Sequence, residues 1–93
     1  MKALAKRAKM IEDEAKIISE AKRAANAGIG TQLHVDMALN AQNSIMKAVE
    51  DVRERYFNLA ETNVAQEAKG IWDVMIAQRQ DAIREAAAIA AAV

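Results

Sequence analysis

The residues best suited to chemistry are few: one histidine, His34; an arginine and a glutamine set among apolar neighbours, Arg79 and Gln42; and an acidic run, Glu12-Asp13-Glu14. A buried guanidinium can grip a carboxylate and an amide can orient it, as a helical enzyme rearranging a small dicarboxylate would require. One arginine and one glutamine fall short of the several converging cations such a pocket needs. The pair therefore reads as structural: Arg79 carries its charged head to water along an apolar stem, or both residues fix helix register. A metal site needs several converging ligands, and the chain has no second histidine and no cysteine. His34 reads as a cap-region or solvent-facing residue, and a lone histidine is a poor ligand set for haem. Consecutive acids on a helix point about 100° apart and cannot close on one ion, so Glu12-Asp13-Glu14 reads as a solvated face. Gly28-Ile29-Gly30 lacks the preceding strand that a phosphate loop requires. Trp72, Met75 and Ile76 read as core rather than as a cofactor pocket. The expectation is a non-enzymatic chain with no catalytic residue, no cofactor-binding residue and no metal ligand.

The elements that must position these residues are helices. The chain has no proline, 22 alanines and three glycines, and its one clear interruption is Ala27-Gly28-Ile29-Gly30-Thr31. Gly28 can take the left-handed conformation that closes a helix, and Thr31 can cap the next one. Helix 1 is predicted over residues 2–26, with Leu4, Ala8, Ile11, Ala15, Ile18 and Ala25 as its stripe and Met10 and Ile17 widening it. Helix 2 is predicted over 32–60 on a heptad seam of Val35, Ala38, Gln42, Ile45, Val49, Val52, Tyr56 and Leu59. Asp51 with Arg55, and Glu50 with Arg53, dress its outer face. Helix 3 is predicted over 63–92, with Ala68, Trp72, Met75, Arg79, Ala82, Ala86, Ile89 and Val93 on the seam. Gly70, costly inside a helix, suggests close approach of a neighbour or room beside Trp72.

The second turn carries weaker signals. Glu61-Thr62-Asn63 can cap, and Asn63 with Gln66 has the spacing of a capping box, yet no glycine or proline enforces a stop. The predicted fold is an all-α, up-down-up three-helix bundle forming a single domain over residues 1–93. The alternative fuses helices 2 and 3 into one rod in a domain-swapped dimer, because a lone rod could not bury its seam.

Composition narrows the partners. Thirteen basic and thirteen acidic residues cancel, so neither nucleic acid nor an anionic membrane is the expected partner. The longest apolar run, Ala86 to Val93, is eight residues, whereas a spanning helix takes roughly 20. The basic N-terminal residues Lys2, Lys6, Arg7 and Lys9 interrupt any apolar stretch of signal-peptide length. A soluble, cytoplasmic chain is expected. Alanine buries little area, so the core should be thin, and self-association would bury more.

Two segments carry resemblances. Glu20 to Asn43, through Arg23, Gly28, Thr31, Val35, Asp36 and Ala38, resembles a helix–turn–helix segment of the outer-membrane efflux (TolC-like) proteins. That likeness implies a fragment of an efflux-type helical protein, although the chain has no strand pattern for that family's barrel. Ala41-Gln42-Asn43-Ser44-Ile45-Met46 resembles helices of the vinculin and talin adhesion bundles, which implies an interaction module holding a partner helix in a groove. Two unrelated likenesses in adjoining segments suggest a mosaic. The favoured expectation is a de novo designed or engineered helical bundle with a structural role; a partner-binding module and a small bundle enzyme are the alternatives.

Overall fold

The computed structural model describes residues 2–57 and 62–93, with side chains described over 3–57 and 68–93. It is an all-α bundle of three helices: α1 (Lys2–Asn26), α2 (Gln32–Val52), continued by a π-helical turn (Arg53–Phe57), and α3 (Thr62–Ala92). Arg7 of α1 bonds Asp51 of α2, and Lys22 of α1 bonds Glu85 of α3. These pairs fix α2 antiparallel to α1 and α3 parallel to it, the up-down-up order. Among the described residues no helix is long and apolar enough to cross a membrane.

Each helix buries a seven-residue repeat. On α1 it is Leu4, Ile11 and Ile18; on α2, Ala38, Ile45 and Val52; on α3, Ala68, Met75, Ala82 and Ile89. Ala21, Val35, Ala41, Ala48, Val49 and Ala86 fill the places between them. Seven of these core residues are alanines, so the helix axes approach closely and the molecule is a narrow rod, 49 × 18 × 16 Å across its Cα atoms. The seam departs from expectation at its polar members. Ala41 and Ala48 occupy the places beside Ile45 and Val49, which leaves Gln42 at the margin, only half-buried. Arg79, Trp72 and Tyr56 are also half-buried, while Met10 and the terminal Val93 are exposed.

The first turn follows from backbone chemistry. Gly28 sits at φ 75°, and the N–H groups of Gly28 and Ile29 donate to the carbonyls of Ala25 and Ala24 at 3.2 and 3.0 Å. That pair of bonds is the Schellman arrangement, and it satisfies carbonyls that the helix end would leave open. Gly30 answers a different need. A Cβ there would lie 2.9 Å from the Cα of Ala25 and 2.9 Å from Cγ2 of Val93. The end of α3 therefore packs directly against the turn. Among the described residues nothing lies within 4 Å of a Cβ added at Gly70, so neither a close neighbour among them nor the bulk of Trp72 accounts for it.

The other end of α2 differs from the predicted plain helix to residue 60. The α-helix stops at Val52, where the Arg53 N–H is shared between the carbonyls of Val49 and Glu50, and a π-turn carries the chain to Phe57. Leu59 and the side chains of the Asn63–Gln66 capping box lie outside the described residues. The fused rod is not what forms: α3 packs back on both α1 and α2. Register explains why. Carrying the repeat of Ala38, Ile45 and Val52 onward leads to Asp73 and Gln80, both exposed, while α3 buries Met75 and Ala82 two places later. Two residues are about 200° of helix, so a straight α-helical rod would aim its two apolar faces nearly opposite ways.

Candidate functional site

The polar residues singled out in the sequence are spread along the bundle. His34 stands in the first turn of α2, where its Nδ1 accepts a bond from the Thr31 backbone N–H at 3.0 Å and lies 3.0 Å from the Thr31 hydroxyl. Thr31 is extended (φ −126°, ψ 173°), as an N-cap should be. His34 thus fills the place that Glu or Gln takes in the usual capping box. Acceptance at Nδ1 requires that nitrogen to be unprotonated, so this bond selects the tautomer with its proton on Nε2. The signal was present in the sequence as Thr-x-x-His, a spacing that only the more common capping acids had marked as meaningful.

Gln42 points along its own helix, its amide donating a weak bond to the sulfur of Met46 at 3.6 Å. Arg79, on α3, is half-buried. Its charge helps hold the Glu50 carboxyl below the usual carboxylate range, behind the larger effect of the hydrogen bond from Arg53. Gln42 is thus engaged within α2, while the charge of Arg79 is felt at Glu50, two turns further along that helix. Glu12 and Asp13 face solvent and Glu14 is half-buried; Lys9 binds Asp13 at 2.9 Å, one turn away. Among the described residues no group of three or more His, Asp or Glu side chains could hold a metal ion. Trp72 is occupied by Phe57, with ring centroids 4.8 Å apart and planes tilted by 43°.

A concavity that the sequence does not suggest lies between α1 and α3. Ala15, Ile18 and Ala82 floor it, and Gln78, Asp81 and Glu85 rim it, enclosing about 70 Å³. Pockets for small molecules run to about 300 Å³ and more, so this cleft has room for a few waters only. Its acids are engaged: Glu85 by Lys22 at 3.1 Å and Asp81 by Arg84 at 2.8 Å. The cleft has room because two of its lining side chains, Ala15 and Ala82, are short where longer ones would fill the surface.

The strongest electrostatic feature is a hub at Asp51. Its carboxylate takes a bond from Arg55 at 2.8 Å and another from Arg7 of α1. These two hydrogen bonds, that of Arg55 foremost, hold Asp51 below its ordinary carboxylate value. The Asp51–Arg55 pair follows the i, i+4 spacing expected from sequence. Arg7 as a second partner depends on how α1 and α2 are set against each other, which spacing within one helix does not reveal. No known protein family, curated protein or solved structure matches the chain.

Proposed function

We propose that this chain is a non-enzymatic helical bundle, designed or engineered, whose role is structural. The observation that supports this reading best is the division of labour among its side chains. Matching seven-residue repeats on all three helices supply one core along the rod, and the candidate polar residues His34, Asp13 and Gln42 serve a cap, an ion pair and a helix margin. Val49, fully buried in the last turn of α2, is the place to test it. Placing an unpaired carboxylate there costs several kcal/mol, against a total stability of about 5–15 kcal/mol for a domain. Val49→Asp is expected to abolish helicity in far-UV circular dichroism at 25 °C. The paired replacement Gln42→Leu with Arg79→Met should leave the melting temperature within a few degrees of native. A loss of folding in that double variant would give the polar pair a role that the structural reading denies it.

A second reading, a module that binds a partner helix, is favoured by one specific feature. Leu39 and Met46 form a seven-residue column on the outer side of α2, and they are 39% and 40% exposed. Exposed apolar columns of this kind suit a helix laid into a groove. Titration with amphipathic helical peptides, followed by NMR shifts at Leu39 and Met46, separates the two readings. Saturable shifts confined to that column favour the module, and their absence leaves the structural role.

A further inference from the structure

The five residues Arg53–Phe57 depart from α-helical winding just where α2 meets the aromatic end of the bundle. An α-helical count places Tyr56 on the seam, four residues after Val52 and seven after Val49. The same count places Phe57 eighteen residues, or about five full turns, after Leu39. Phe57 would then join the exposed column of Leu39 and Met46. A π-turn accommodates about one residue more than an α-turn, since its bonds run from i to i+5. The extra residue rotates Phe57 back into the place that Tyr56 would hold, and there its ring meets Trp72 at 4.8 Å. Both Tyr56 and Phe57 are half-buried against the core.

We propose that the end of α2 is a register switch. In the π register Phe57 seats on Trp72. In the α register Tyr56 takes that seat and Phe57 turns outward to extend the Leu39–Met46 column. Two adjacent aromatic rings of similar size make the seat usable in both registers. The rarity of π winding is set against the phenyl ring's lack of a hydroxyl that would need a partner in the seat. The exposed column therefore gains or loses an aromatic residue through a local change of winding.

Removal of one residue from the turn, by deletion of Glu54, restores α-helical winding while leaving Phe57 on Trp72. In the full-length native chain the Trp72 indole N–H resonance should be broadened or doubled by exchange, and in the deletion variant it should be single and sharp with its Phe57 contacts retained. In Phe57→Ala, nuclear Overhauser contacts should appear between the Tyr56 ring and the Trp72 indole. A single exchange-free Trp72 signal in the native chain overturns the switch. So does a Phe57→Ala variant in which the Tyr56 ring stays away from Trp72. Phe57→Ala removes only a half-buried ring, so it decides the question even where the deletion variant does not fold.

Discussion

The two ends of α2 solve the same problem, how to leave a helix, by opposite means. At its N-terminal end the chain uses residues whose backbones are special: Gly28 at positive φ, Gly30 where a side chain has no room, and Thr31 as the cap. At its C-terminal end, through Phe57, it uses ordinary side chains: a π-turn, an aromatic contact between Phe57 and Trp72, and a carboxylate gripped by two arginines. The first device is written locally, because each residue answers to its own φ angle or its own empty space. The second also needs contacts between helices, Arg7 with Asp51 and Phe57 with Trp72, which no short stretch of sequence contains.

The sharpest way to break this comparison is to remove the space at Gly30. A valine there would drive its Cβ into the Ala25 backbone, which cannot move without unwinding the last turn of α1, and into Val93. Overpacking of this kind costs about 1–3 kcal/mol, and a loss of 1 kcal/mol lowers the melting temperature by about 4–8 °C in a domain of this size. Gly30→Val should therefore melt about 4–24 °C below native. Thermal denaturation followed by circular dichroism reads this directly, and an unchanged melting curve would mean that the turn is more open than the structure has it.

Gly28 sharpens the same contrast, because nothing lies within 4 Å of its added Cβ and only its φ of 75° forbids a side chain. Gly28→Ala is expected to cost about 1–2 kcal/mol by conformation alone. Gly28→Asn should recover part of that loss, since asparagine tolerates the left-handed region better. If alanine and asparagine gave equal melting temperatures, crowding rather than conformation would be the cause.

Gly70 is the contrary case. It lies within α3 on a helical backbone, and among the described residues nothing lies within 4 Å of an added Cβ, so neither reason for glycine applies. Gly70→Ala should stabilise the bundle by about 0.8–1 kcal/mol, the difference in helix propensity, and raise the urea midpoint without changing the slope. The sequence marks Gly28, Gly30 and Gly70 with the same letter, and only the first two are explained by their surroundings.

That difference measures how far the fold was legible. Helix existence, the first turn and the main stripes followed from periodicity and from Gly28 and Thr31, because those rules are local. Ala41 and Ala48 were passed over in favour of Gln42, because alanine gives too weak an apolar signal to move a seam assignment, although close-packed helices need it there. The π-turn was invisible for a related reason: counting at 3.6 residues per turn has no way to register one extra residue. The α1–α3 cleft depends on which small residues face each other across two helices far apart in sequence. The His34 return bond lay within reach, since its three-residue spacing from Thr31 is local, but histidine is not the usual partner.

The smallest expected effect concerns the Asp51 hub, and it belongs to the end built from side chains. Arg55 and Arg7 hold the Asp51 carboxyl below its ordinary value in the folded chain, and Arg53 does the same for Glu50. A carboxyl whose folded value is depressed contributes stability that is fully present above its unfolded value, about 4. That contribution fades as pH falls through the folded value, because the unfolded chain takes up the proton first. The hub should therefore weaken only below about pH 4, while the Gly28–Thr31 turn, which owes nothing to these carboxylates, keeps its contribution. Asp51→Asn removes the charge at every pH. Its melting temperature should lie slightly below native at pH 7 and meet the native value as pH approaches 2, with added salt shrinking the gap, since surface pairs are screened. A gap that stayed constant from pH 7 to pH 2 would show that Asp51 acts through shape rather than charge, and the two ends of α2 would then differ less than their chemistry implies.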